Sequence, residues 1–291
     1  MKTYKFDYDD FMKISFIDFW TGFNERNNFF TNSLNALGLK YKIVKPQRAD
    51  VIFFSVFGSK NLEFDNTKKI FILTEDFNLN NFNFDYSIAH QINDDPNNFR
   101  LPLWMMYIDW FNAKSYGNPE YLIPVKYLNK SNEFSSAVKS KFCTIVYSSE
   151  YFFRDKYIDL ISDYKKIDVF GKNKYGNLLP EGEYHKLVHL SQYKFSLAME
   201  NEISSGYLCE KLIHAKIAGN IPIFYGDDSA KSDFNPDSFI HITDYSDKIL
   251  LEKIKEIDCN QDLYADILNQ PLFNKLPNIE RFLEFLNHII K

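Results

Sequence analysis

Short apolar runs alternate with helix-like segments along the whole chain, and the pattern is played twice. No other feature of the sequence restricts the fold so much. In the first half, residues 13–20 (KISFIDFW), 41–44 (YKIV), 50–57 (DVIFFSVF), 69–75 (KIFILTE) and 85–90 (DYSIAH) are β-branched and aromatic runs bounded by polar turns. Residues 25–37 read as a helix, and Gly38 supplies the left-handed residue that ends it. In the second half, strands are expected at 142–148, 167–171, 194–200, 221–225 and 239–245. Helices are expected at 151–164, near 185–192 and at 207–218. Strands that are apolar throughout suit a parallel sheet covered on both faces. The expectation is therefore two Rossmann-like α/β domains in tandem. The chain has 291 residues, too many for most single cores. Residues 112–141 are polar and irregular, with Gly117, Pro119 and Pro124, so the division is expected there: residues 1–140 and 141–291. The end of the chain, NIERFLEFLNHIIK, sets Ile279, Phe282, Leu283, Leu286 and Ile290 at helical spacing. That stripe suits packing on a domain better than contact with a membrane.

Bulk properties remove several classes of function. Hydrophobic residues make up 45% and charged residues 25%, the profile of a soluble globular protein. The net charge is -5 and there is no basic stripe, so nucleic acid is not an expected partner. Cys143, Cys209 and Cys259 are odd in number and far apart, which argues against a disulfide framework or a zinc site. The first thirteen residues carry acidic groups where a secretory leader needs an apolar run. No stretch approaches the roughly 18 continuous apolar residues of a spanning helix. A cytoplasmic protein with at most peripheral contact with an inner membrane is expected. His185, His189 and His241 show no metal-binding spacing, and the acidic triplets at 7–9 and 94–96 follow no buried strand. No metal ligands are assigned. Aromatic residues reach 18%, read mainly as compositional drift and only secondarily as a carbohydrate-facing surface.

Chemistry concentrates in residues 196–228. A helix beginning at Tyr207, turning about 100° per residue, would set Tyr207, Glu210, Lys211 and His214 on one arc and Leu208, Leu212 and Ala215 on another. Its start lies beyond the carboxyl end of a strand, where free amides favour an anion. Lys211 adds a full positive charge, which suits a diphosphate. Glu210 is better placed to accept hydrogen bonds from sugar hydroxyls. A solvated helix face with a Tyr–Lys contact fits the same spacing. His214 lies too far along the helix to reach a phosphate and reads as structural. Glu75 ends the strand 69–75, where a carboxylate can be a general base, a turn cap or half of an ion pair.

YKFSLAMEN (193–201), GYLCEKLIHA (206–215) and AGNIPIFYG (218–226) together resemble the donor-binding motif of the α-1,3/4-fucosyltransferases, family ten of the glycosyltransferases. DFNPDSFIHITDY (233–245) is similar to a segment of the short bacterial members. Weaker likeness extends through 49–59, 68–76, the segment FDYSIAH and 99–105. The resemblance implies a GT-B fold, two Rossmann-like domains facing a central cleft, with the acceptor bound by the first and GDP-fucose by the second. It implies transfer of fucose, with inversion, to a glycan hydroxyl. The default acceptor is N-acetylglucosamine in a lactosamine-type, lipid-linked or oligosaccharide surface glycan of bacterial lipopolysaccharide type, with an α-1,3 linkage. No cofactor is required. Glu75 is then the base, Arg154 and Lys211 bind the diphosphate, Glu210 takes hydroxyls of ribose or fucose, and Glu200, Asn201 and Tyr207 order the donor pocket. Glu200 could equally hold its loop by accepting backbone amides, and Arg154 could form a helix ion pair with Glu150 or Asp155. The same scaffold could carry another deoxysugar, or bind without turnover. Thr74, Asp76, Cys209, Asp227 and Asp228 depart from the family pattern.

Overall fold

The computed structural model describes residues 11–291; the acidic triplet at 7–9 lies outside the described residues. Two compact units emerge. One contains residues up to Leu122 together with Asn278–Lys291, and the other is Ile123–Pro277.

The first unit is built on a six-stranded, wholly parallel sheet. Its strands are β1 (Met12–Ile17), β2 (Tyr41–Ile43), β3 (Val51–Phe54), β4 (Lys68–Leu73), β5 (Tyr86–Ala89) and β6 (Asn98–Arg100), in the order β2-β1-β3-β4-β5-β6. β3 and β4 are buried along their whole length, as their unbroken apolar runs require. One face packs under α1 (Phe29–Ala36), where Phe29, Phe30 and Leu34 meet Ile14, Phe16, Phe53 and Ile70. Asn28 caps that helix in a reciprocal box with Thr31, so the helix starts at Phe29, four residues after the expected Glu25. The opposite face is covered by loops, whose Phe64, Leu79, Phe82 and Phe84 pack on Phe54, Phe71 and Leu73. β6 was not foreseen, because NFR has no apolar run to announce it.

Two two-residue strands, β7 (Ile108–Asp109) and β8 (Ile123–Pro124), lie in the connecting stretch. The second unit holds five parallel strands: β9 (Lys141–Val146), β10 (Asp168–Phe170), β11 (Tyr193–Met199), β12 (Ile221–Tyr225) and β13 (Ile240–His241), in the order β10-β9-β11-β12-β13. The helices of this unit are α2 (Phe152–Ser162), α3 (Glu183–Leu190), α4 (Lys211–Ile217), α5 (Ala230–Asp233), α6 (Asp247–Cys259) and α7 (Gln261–Asn269). Side chains of α2 and α6 share one core with the sheet through Ile158, Ile161, Leu250, Ile254 and Ile257. Gly219 closes α4 with φ +78°, and an added Cβ would sit 2.7 Å from the Cα of Ser135.

The expected division at 140/141 falls inside the second unit. Residues 125–139 are polar because they are tied to that unit by side-chain bonds to backbone. Lys139 Nζ donates to the carbonyls of Phe134, Ser191 and Ala218 at 3.1, 2.8 and 2.8 Å, and Asn132 donates to Ile217 at 3.2 Å. The last helix, α8 (Glu280–Ile290), expected in the second domain, belongs to the first unit, where Phe282, Leu286, Ile289 and Ile290 complete the core beneath α1. A stripe shows which face of a helix is buried, not which sheet it covers. Among the described residues, no helix is long and apolar enough to cross a membrane.

Candidate active site

In each sheet the chain reverses its direction of travel across the strands at one place, between β1 and β3 in the first unit and between β9 and β11 in the second. Open parallel sheets bind ligands beyond the carboxyl ends of strands at that point. The candidate residues cluster at these two places.

In the first unit, Glu75 follows the carboxyl end of β4. It lines a cavity of about 280 Å³ with Trp20, Phe23, Phe57, Thr74, Tyr107, Tyr116 and Asn118. Trp20 follows β1 and Phe57 follows β3, so strand ends on both sides of the reversal contribute. Trp20 meets Phe23 and Phe57 edge-on, at centroid distances of 5.1 and 6.1 Å. Among the described residues, the indole N–H of Trp20 and the hydroxyl of Tyr116 are buried without hydrogen-bond partners, and both residues line the cavity. The space is thus walled by rings, provided with two unused polar atoms, and bordered by one carboxylate. That combination can stack a sugar ring and accept a proton from one of its hydroxyls. The aromatic wall was legible only as an excess of aromatic residues; nothing in the spacing gathers Trp20, Phe57 and Tyr107.

In the second unit, Arg154 sits in the first turn of α2, directly after β9, and is 1% exposed. Its guanidinium donates to the Ser149 carbonyl, to Asn201 Oδ1 at 2.8 Å and to the Met199 carbonyl at 3.4 Å. The planes of Tyr147 and Tyr151 lie 5.1 and 5.0 Å away. The alternative of an ion pair with Glu150 or Asp155 is not what forms: Asp155 binds Lys174, and Glu150 accepts the Lys174 amide. No carboxylate within ion-pairing distance of Arg154 is present among the described residues, and its Nε–H has no partner. Burial pulls its pKa down, while Tyr151, Tyr147 and Glu200 act in the opposite direction. A buried guanidinium held only by neutral acceptors is suited to an anion.

Glu200 directly follows β11 and is fully buried. One carboxylate oxygen accepts the Cys209 amide at 2.7 Å, and the other binds Lys211 Nζ at 2.9 Å. Glu210 pairs with Lys186 of α3 at 2.8 Å and lies 3.9 Å from Lys211. Burial favours the neutral forms of Glu210 and Lys211, but their charged neighbours prevail. Lys186 and Lys211 hold Glu210 well below the usual carboxylate range, and Glu200 and Glu210 hold Lys211 well above that of lysine. Lys211 is therefore charged but engaged. Arg154, Lys186 and Lys211 line a space of about 10 Å³, roughly one water. An anion as large as a diphosphate needs these side chains to part.

The expected helix from Tyr207 is shorter than the pattern suggested. α4 begins at Lys211, and Tyr207 and Glu210 belong to the preceding loop. Gly206, at φ +78°, turns the chain just before Tyr207, and the Cys209 amide goes to the Glu200 carboxylate at 2.7 Å rather than into a helical ladder. Tyr207 is buried rather than ranged with Glu210 and Lys211 on a helix face. Asp227 also braces this loop, accepting the Gly206 amide at 2.9 Å. Burial would raise the Asp227 carboxyl, but hydrogen bonds from Ser229 and Gly206 outweigh it and hold the group below its usual range. The sequence pattern assigns no structural role to Lys186 or Asp227, because neither stands at a spacing tied to Glu210 or Gly206.

Comparison with known proteins points to one family. Residues 136–269 match the model for "Glycosyltransferase family 10 (fucosyltransferase) C-term", and residues 14–107 match that for the "Alpha-(1,3)-fucosyltransferase FucT N-terminal domain". The α-(1,3)-fucosyltransferase FucT of Helicobacter pylori is 27% identical over 309 residues, covering 95% of this chain and 63% of that enzyme. Human 4-galactosyl-N-acetylglucosaminide 3-α-L-fucosyltransferase 9 is 33% identical over 119 residues, 40% of this chain and 32% of its own. The chain thus matches less than two thirds of the length of either relative. A solved α1,3-fucosyltransferase superposes with a TM-score of 0.74 at 22% identity, covering 99% of this chain and 93% of that one, and its complex with GDP-fucose gives 0.71 at 21% identity over 100% and 94%. The fold class is the expected one, α/β of the GT-B type with parallel sheets. With its two halves matched in order by the two models of one family, the chain belongs to glycosyltransferase family 10, the fucosyltransferases.

Proposed function

We propose that the protein transfers fucose from GDP-fucose to a glycan hydroxyl, with inversion at the anomeric carbon. Arg154 carries the reading: a buried cation without a carboxylate partner, at the strand reversal of the second sheet, within a family whose solved relative is known with GDP-fucose. Arg154 and Lys211 bind the diphosphate and stabilise the charge that grows on it as the sugar departs, the largest contribution in reactions of this kind. Glu200 fixes Lys211 and the Cys209 amide in position, Asn201 steers Arg154, and Glu210 takes hydroxyls of the donor once Lys186 releases it. Tyr207 packs beneath the loop that carries them. Glu75 takes the proton from the acceptor hydroxyl as it attacks an oxocarbenium-like carbon. The ring-lined cavity beside Glu75 suits a pyranose, and N-acetylglucosamine of a lactosamine-type surface glycan, linked α-1,3, is the acceptor we infer.

The test is release of GDP from GDP-fucose with a panel of glycan acceptors, run beside GDP-mannose and UDP-sugars. Release with GDP-fucose alone among the donors is expected. Glu75→Gln should lower turnover by about 10²-fold or more, the scale of general base catalysis, while GDP-fucose affinity stays within about twofold. Failure to bind GDP-fucose would sink the donor assignment. Full turnover by Glu75→Gln would remove the base.

A further inference from the structure

We propose that Asp228, His241 and Asp244 form a site for a divalent transition-metal cation such as Zn2+, and that Lys231 competes with the ion for the two carboxylates. His241 ends β13 and is 3% exposed. Its Nε2 lies 3.0 Å from the Gly226 carbonyl and 3.3 Å from Thr243 Oγ1. A carbonyl can only accept, so Nε2 carries a proton, and in the neutral tautomer Nδ1 presents a lone pair. That Nδ1 is buried and has no hydrogen-bond partner among the described residues. It points at Asp228 Oδ1, 3.4 Å away, and Asp244 Oδ1, 3.9 Å away. In that tautomer the lone pair faces two anionic oxygens, making three ligand atoms that a cation between them would satisfy together.

Lys231 supplies one in part. Its Nζ lies 2.9 Å from Asp228 Oδ1 and 2.5 Å from Asp244 Oδ1. No hydrogen bond joins Lys231 to His241, so the ammonium satisfies the carboxylates and leaves the imidazole unused. A metal ion would use all three. Ligand atoms bonded at about 2.1 Å in a tetrahedron lie about 3.4 Å from one another. The three atoms here all lie within 4.8 Å of one another, and the pair including Asp228 already has the required separation. Asp228 and Asp244 are 76% and 42% exposed, so they can close the remaining gap and the ion can enter. One imidazole and two carboxylates suit Zn2+, Co2+ or Cu2+ better than Mg2+ or Ca2+, which prefer oxygen throughout. The ion would join the loop after β12 to the end of β13. Its three ligands are none of the residues of the Glu200 and Arg154 cluster, and the inference does not depend on the reading of that cluster.

Zn2+ titrated calorimetrically into the chelator-treated whole chain at neutral pH tests this. One ion per chain is expected. Lys231→Met should bind about tenfold more tightly, and Asp228→Asn and Asp244→Asn each about tenfold less tightly, than the parent. Both aspartates are exposed, so equal melting temperatures of the metal-free variants will show that folding is intact. The electron paramagnetic resonance spectrum of bound Cu2+ should show coupling to a single nitrogen. Absence of binding by both the parent and Lys231→Met would overturn the proposal. So would Zn2+ affinity indifferent to both aspartates, or a Cu2+ spectrum without nitrogen coupling.

Discussion

Arg154 determines the electrostatics of the second unit because its charge is buried against neutral oxygens and aromatic planes. Lysine cannot replace it, since an ammonium lacks the planar fork that reaches Ser149 and Asn201 together. Arg154→Lys should weaken GDP binding by about tenfold or more, the value of one charge-assisted hydrogen bond, as read by calorimetry with GDP. A Kd unchanged within twofold would show that the phosphates lie elsewhere. Glu200 and Lys211 pose a different problem, because each is the other's nearest opposite charge in a buried place. Lys211→Met strands the Glu200 carboxylate and should cost about 3 kcal/mol of stability. Adding Glu200→Gln should recover part of that loss, since the glutamine still accepts the Cys209 amide at no charge. Denaturant melts of the two single variants and the double variant decide it. Equal losses that simply add would show that the pair is not coupled.

At the scale of elements, α3 and α4 each carry a histidine kept neutral by burial. His189 of α3 packs on the rings of Phe170 and Tyr193, and burial with nearby Lys141 lowers its pKa to about 4. His214 of α4 is lowered to about 3 by burial and then by Lys186. Both values lie below the ordinary histidine value of about 6.5, so the unfolded chain binds protons that the folded chain refuses. Stability is therefore full above that value and falls as the pH drops towards the folded-state values. Between pH 7 and pH 5 each histidine should cost about 1–2 kcal/mol. His189→Gln should flatten that slope in chemical melts taken across the range, and an unaltered slope would assign the acid sensitivity to other groups. The two helices also show what the sequence can and cannot reveal. Their apolar faces and the strand between them were legible, because burial leaves a pattern in the residues. The loop through Glu210 was not, because a side chain such as Glu200 that takes a backbone amide out of the helical ladder leaves the hydrophobic pattern undisturbed. The motifs place Glu75, Glu200 and Arg154 beside strand ends, which is where they lie, while their roles rest on the proposed function. The Lys186–Glu210 pair joins positions 24 residues apart, which only the packing of α3 beside α4 brings together.

The whole molecule is ordered by a return of the chain. The first unit is left unfinished at Leu122, and its core is completed only by residues after Pro277. Phe282 of α8 meets the rings of Phe29 and Phe99 at 5.1 and 5.5 Å, and Leu286, Ile289 and Ile290 are buried in the same cluster. At about 1.5–3 kcal/mol for each buried side chain, these four contribute on the order of 6–12 kcal/mol, as much as most domains possess in net stability. Lys68, at the start of the central strand β4, donates to the Ile289 carbonyl at 2.9 Å, so the helix also satisfies a buried ammonium. Burial lowers the pKa of that lysine, with Asp85 opposing it, and removing the helix would return the group to water. A chain stopped after Pro277 should therefore lose the first unit while keeping the second, whose core draws on none of the removed residues. Hydrogen exchange read by mass spectrometry distinguishes the two. The amides of β3 and β4 should exchange freely in the shortened chain, and those of β11 and β12 should remain protected. Continued protection of β3 and β4 would show that the six-stranded sheet and α1 hold together without α8, and that the return of the chain is not what stabilises the first unit.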